Sequence, residues 1–114
     1  MNKNNLLIVW TNGDKEVATQ FPLLYGSVIL ERNYWEKAHL MLWGPSIKLA
    51  AKDETIRQKL LKIQQTGVGM SACIVCVEEY DVIKELEELQ IQIVHTGELL
   101  TSALKSEEWA VMTI

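Results

Sequence analysis

Five short apolar runs, Leu6–Trp10, Ala38–Trp43, Val68–Ile74, Ile91–His95 and Trp109–Ile114, are spaced so that a stretch of helical period fits between each run and the next. This alternation constrains the chain more tightly than any other feature. Strand, helix, strand repeats fold as β-α-β units, with a mainly parallel sheet and helices on its faces, so the expected class is α/β. Leu6–Trp10 is continuously apolar, the pattern of a strand covered on both sides, and Asp14 after it suits an N-cap. Val17, Phe21, Leu24 and Val28, at i, i+4, i+7 and i+11, predict the buried stripe of one helix bent at Pro22.

Beyond the second run, Gly44-Pro45 ends the strand and Ser46 is expected to cap a short helix through Ala51. Asp53 restarts the helix, Ile56, Leu60 and Ile63 form its apolar face, and Thr66-Gly67 closes it. Cys76, an acidic turn of Glu78, Glu79 and Asp81, and a helix bearing Val82, Ile83, Leu86 and Leu89 follow the third run. After the fourth, Thr96-Gly97-Glu98 reads as a turn and Leu99–Leu104 as a helix. With no linker or repeat, residues 1–114 read as one domain.

The charge balance excludes several functions. Eleven Lys and Arg against fifteen Asp and Glu give a net charge of −4, which provides no footprint for nucleic acid or an anionic membrane surface. The longest uncharged stretches, 17–30 and 63–77, fall short of the ~18 apolar residues of a membrane span. Met1–Asn5 leads into only five apolar residues, too few for the core of a signal peptide, so a cytoplasmic location is expected.

In a parallel sheet the loops leaving the carboxyl ends of the strands open on one edge, where ligands bind. Four loops qualify: 11–14, 44–46, 73–79 and 95–98. The third holds both cysteines of the chain, Cys73 and Cys76. In an extended strand residues three apart lie about 10 Å from one another, too far for a disulfide, which needs Cα atoms within about 7 Å, so the pair can meet only if the chain turns between them. A strand ending here would put Cys76 in the loop or in a first helical turn. Free amides would lower its pKa there, while Glu78, Glu79 and Asp81 would oppose them, and Lys15 and Lys48 are the candidate nearby cations.

Four readings of the pair stand side by side. A zinc site would need two more ligands, with His39 and His95 the only candidates. A thioredoxin-like dithiol, a pair of packed apolar thiols and a nucleophilic or sulfur-carrying thiol are the others. No metal or cofactor is expected. Asn12, Ser46 and Thr96 are candidate donors lining the site, and neither His39 nor His95 has the setting of a catalytic base. Trp35 and Trp109 are candidates to face a neighbouring subunit.

The run Leu7-Ile8-Val9-Trp10-Thr11-Asn12-Gly13-Asp14, then Leu40-Met41-Leu42-Trp43-Gly44-Pro45-Ser46, Ala72-Cys73-Ile74-Val75-Cys76, Leu86-Glu87-Glu88-Leu89 and Thr96-Gly97-Glu98-Leu99-Leu100-Thr101 resembles the DsrE/DsrF-like family of small sulfur-relay proteins. The resemblance implies a three-layer α/β/α domain with a five-stranded, mainly parallel sheet, assembled into homo- or hetero-oligomers, commonly trimers or hexamers, and a homo-oligomer is the expectation here. It also implies that Cys76 carries sulfane sulfur as a persulfide between a donor and an acceptor protein, with Cys73 as the first cysteine of the pair. Attack by Cys73 on that persulfide would release sulfide and leave a disulfide. A non-catalytic oligomeric module binding a small ligand, and a dithiol/disulfide redox protein, are the alternatives.

Overall fold

The computed structural model describes residues 3–114; Met1 and Asn2, the start of the polar stretch read above, lie outside them. In chain order the elements are β1 (Asn5–Trp10), α1 (Lys15–Gln20), α2 (Pro22–Val28), β2 (Lys37–Leu42), α3 (Pro45–Lys52), α4 (Glu54–Gln65), β3 (Gly69–Cys73), α5 (Ile74–Tyr80), α6 (Ile83–Glu88), β4 (Gln92–Val94), α7 (Thr96–Lys105) and β5 (Trp109–Thr113). The five strands form one sheet in the order β4-β3-β2-β1-β5, every pair parallel.

That order decides where the helices go. The crossovers from β1 to β2, β2 to β3 and β3 to β4 all step in one direction, and right-handed connections therefore lay α1 to α6 on one face. The step from β4 back to β5 runs the other way and carries α7 to the opposite face. The packing follows. Leu6, Ile8, Trp10, Leu40 and Leu42 join Ile47, Ile56, Leu60, Val77 and Leu86 in the larger core, while Leu7, Val9 and Met41 meet Ala103 of α7 in a small one. β1, at the centre, is buried at every position, as its apolar run implied.

Several local expectations hold. Asp14 Oδ1 accepts from the Val17 amide at 3.0 Å, and Asp53 Oδ1 caps α4 through Ile56 at 3.0 Å. Gly67, at φ +105°, follows the end of α4 in a backbone region only glycine occupies freely. Others are corrected. In place of one bent helix there are two, because Pro22 has no amide to continue the ladder of α1 and instead takes the first position of α2. The break at Phe21 rotates the second segment. Phe21 and Leu24 are exposed, and Ala18, Leu23 and Gly26 are buried instead of the predicted stripe.

The expected acidic turn is helix. α5 runs through Glu78 and Glu79 to Tyr80, and the reversal comes only at Asp81, in the left-handed region at φ 55°. Thr96-Gly97-Glu98 is likewise the first turn of α7, with His95 at the N-cap; an acidic residue at this end suits the helix dipole. Ser46 is not the cap of α3, which is Gly44. Its fully buried hydroxyl donates to the Trp10 carbonyl at 2.6 Å and accepts from the Trp43 amide at 3.2 Å, tying the ends of β1 and β2 together.

Candidate functional site

β3 sends its chain to α5 on the crowded face, and β4 sends its chain to α7 on the other. Adjacent strands whose connections diverge leave a crevice outside their carboxyl ends, and here it opens between β3 and β4. Cys73, the last residue of β3, pairs in register with Val94 of β4, just before His95 and Thr96. An open cleft of about 890 Å³ lies at this point, lined by Trp43, Cys73, Val75, His95, Thr96 and Glu98 among others.

The chain turns between the two cysteines. Cys73 takes the N-cap position of α5 and Cys76 the third helical position, so both thiols belong to one helical turn and are free. Where Ser or Asp would cap with an oxygen, the larger sulfur of Cys73 forms no cap hydrogen bond, but the first-turn amides stand in front of it. Burial raises the Cys73 thiol; the Cys76 amide, the Cys76 thiol, the Thr96 hydroxyl and the Val75 amide together outweigh burial and hold it below the ordinary cysteine value. Cys76 goes the other way. Burial raises it, the Gly44 amide pulls it down, and the Cys73 sulfur and the Glu79 charge lift it again, leaving it above the ordinary value. The thiol that the amides favour as an anion is thus Cys73, whereas the sequence placed that effect on Cys76.

Thr96 is 1% exposed, and its buried Oγ1 has no hydrogen-bond partner among the described residues. It sits in the first turn of α7 and in the same cleft as Cys73, so of the three candidate donors it is the one the fold brings to a thiol. Asn12 is exposed and accepts from the Asp14 amide at 2.8 Å as a turn residue, and Ser46 is occupied as described. The proposed cations are engaged elsewhere: Lys15 pairs with Asp53 at 3.0 Å, and Lys48 lies over the Tyr80 ring.

His39 is half-buried against Ser71, Nε2 to Oγ 2.8 Å, and burial lowers its pKa; it belongs to the sheet face under α7 and not to the thiol cleft. A smaller hollow of about 270 Å³, beside Leu7, His39 and Trp109, lies on that face and contains neither cysteine. Among the described residues no group of three or more His, Cys, Asp or Glu is arranged to hold a metal ion. Trp35 donates to the Tyr25 hydroxyl at 2.9 Å beside the larger core, and Trp109 packs beside the smaller one. Sequence reasoning missed Trp43, which follows β2 directly and is half-buried at the cleft. Its place as the last residue of the predicted second strand was the available signal.

A parallel five-stranded sheet in this order, with helices on both faces, defines a DsrE-like α/β fold, and this chain carries a dithiol at its switch point. The chain belongs to the same family as BT1422, a conserved protein of unknown function from Bacteroides thetaiotaomicron. The two are 30% identical and superpose with a TM-score of 0.92 over 97% of this chain and 95% of that one. The ychN protein of E. coli shares the fold at 15% identity, with a TM-score of 0.75 over 97% and 99% of the two chains. No protein-family profile and no curated protein matches the sequence. Among the described residues no helix is long and apolar enough to cross a membrane.

Proposed function

We propose that this is a cytoplasmic sulfur-relay protein of the DsrE/DsrF-like kind, working as a homo-oligomer between a sulfur donor and an acceptor protein. One observation carries the reading: two free thiols on a single helical turn after β3, with Cys73 lining the crevice between β3 and β4, where this architecture binds its ligands. Cys76, the more exposed of the two, holds the persulfide that the acceptor thiolate collects. A neighbouring Cys73 thiolate attacking the inner sulfur of that persulfide would expel hydrosulfide and leave a Cys73–Cys76 disulfide, which empties the carrier.

Intact mass before and after reductant, with a persulfide donor, tests this. Wild type should gain about 32 Da, reversible by reductant, and Cys76→Ser should lose delivery of sulfur to an acceptor thiol. Undiminished delivery by Cys76→Ser would refute the assignment of the carrier. The juxtaposition of the thiols also favours a second reading, a dithiol/disulfide couple, which would show as a loss of about 2 Da on oxidation and no gain of sulfur.

A further inference from the structure

We infer that sulfane sulfur enters this site at Cys73, and that the Thr96 hydroxyl is the group that positions and holds the Cys73 thiolate. Three features of the geometry lead there. Of the two thiols, Cys73 lines the cleft, at the seam where β3 and β4 part. Thr96 faces the same cleft from α7, a separate element on the other side of the sheet, so the two meet only through the tertiary fold. Its hydroxyl is almost completely buried yet has no partner among the described residues, an arrangement that costs stability unless something else uses the donor. A neutral thiol is a weak acceptor, and a thiolate is a strong one. The orphaned hydroxyl therefore finds its partner when Cys73 is ionised.

What Cys73 attacks rests on the sulfur-relay reading; the pairing with Thr96 does not. The Cys73 thiolate forms a bond to the outer sulfur of a donor persulfide R–S–SH. The donor's S–S bond breaks, and R–S⁻ leaves with the electron pair and takes the proton of Cys76. The Cys76 thiolate then attacks the outer sulfur on Cys73, forming the Cys76 persulfide and restoring the Cys73 thiolate. The sum, R–S–SH and Cys76–SH to R–SH and Cys76–S–SH, balances without an oxidant or reductant. The division of labour fits the two settings: uptake inside the cleft, and release from the more exposed thiol.

The charged and titratable groups beside Cys73 are Cys76 on α5 and His95 and Glu98 at the start of α7, while the Glu79 charge acts on Cys76; Trp43, just after β2, adds none. The test therefore changes Thr96 alone, in a Cys76→Ser background where Cys73 is the one remaining thiol. The rate of iodoacetamide alkylation is followed against pH, with folding checked by circular dichroism. Thr96→Val should move the profile to higher pH and slow alkylation at pH 7 by about tenfold, one unit in pKa, while Thr96→Ser should keep the parent profile. A Thr96→Val profile that overlays the parent, or a Thr96→Ser profile as displaced as that of the valine variant, overturns the pairing. With limiting persulfide donor, Cys76→Ser should still gain about 32 Da and Cys73→Ser should not; a gain by Cys73→Ser at the parent rate overturns uptake at Cys73. If wild type takes up no sulfur the relay reading falls and uptake with it, whereas the alkylation profiles judge Thr96 regardless.

Discussion

Gly44 and Gly97 look alike in the sequence, each in a short polar segment after a strand, yet replacing them by alanine should have opposite effects. A Cβ built on either meets nothing within 4 Å, so steric crowding plays no part and only the backbone decides. Gly44 sits at φ 73° and ψ −139°, a region essentially closed to residues with a Cβ, and Gly44→Ala should cost about 1–3 kcal/mol. For a chain of this size that lowers the melting temperature by roughly 5–15 °C. Gly97 lies in the first turn of α7 with no positive φ, and alanine there removes conformational freedom from the unfolded chain, a gain of up to about 1 kcal/mol. Thermal and urea unfolding followed by tryptophan fluorescence read both, with fully buried Trp10 as one reporter. Equal destabilisation by the two substitutions would mean that residues 96–98 are a turn after all, and Thr96 would then lose the helical frame that aims it at Cys73.

Two further predictions test packing and pH. Leu23→Ala should cost about 2–5 kcal/mol in urea unfolding because Leu23 is 2% exposed, while Leu24→Ala, at a residue 57% exposed, should stay within about 0.5 kcal/mol; the reverse order would restore the stripe read from the sequence. His39 has a pKa below 6.5 in the fold, so the unfolded chain binds the proton more readily; its contribution is present above that value and is lost as pH falls through it. The urea midpoint should therefore drop between pH 7 and 5, and drop less in His39→Gln. An equal drop in the two proteins would show that the neutral His39–Ser71 contact does not contribute to the acid response.

Much of the architecture was legible because it follows from local chemistry. A five-residue apolar run ended by turn residues suits a strand covered on both faces, an Asp ahead of a helical pattern can satisfy free amides, and a glycine can end a helix; Leu6–Trp10, Asp14, Asp53 and Gly67 behave accordingly. The cysteine pair was legible for the same reason, being three residues apart at a strand end. What failed locally were the choices that depend on phase. The break at Phe21 turns the face of α2 by an angle that no periodicity spanning it can report, and the polar segments at 78–81 and 96–98 become helix because packing on the sheet outweighs their turn chemistry.

The amino-acid sequence by itself thus determined the class, the strands and the presence of two thiols at a carboxyl edge. It offered four loops at that edge, with both cysteines in the third. The order β4-β3-β2-β1-β5 placed the crevice at that loop, by sending α5 and α7 to opposite faces and opening it between β3 and β4. The same order brought Thr96, 23 positions along the chain, into the cleft with Cys73, and put the Gly44 amide beside Cys76. Which thiol ionises is set by these long-range neighbours, since a thiolate responds to every amide, hydroxyl and charge within a few ångströms, whatever their separation in the chain.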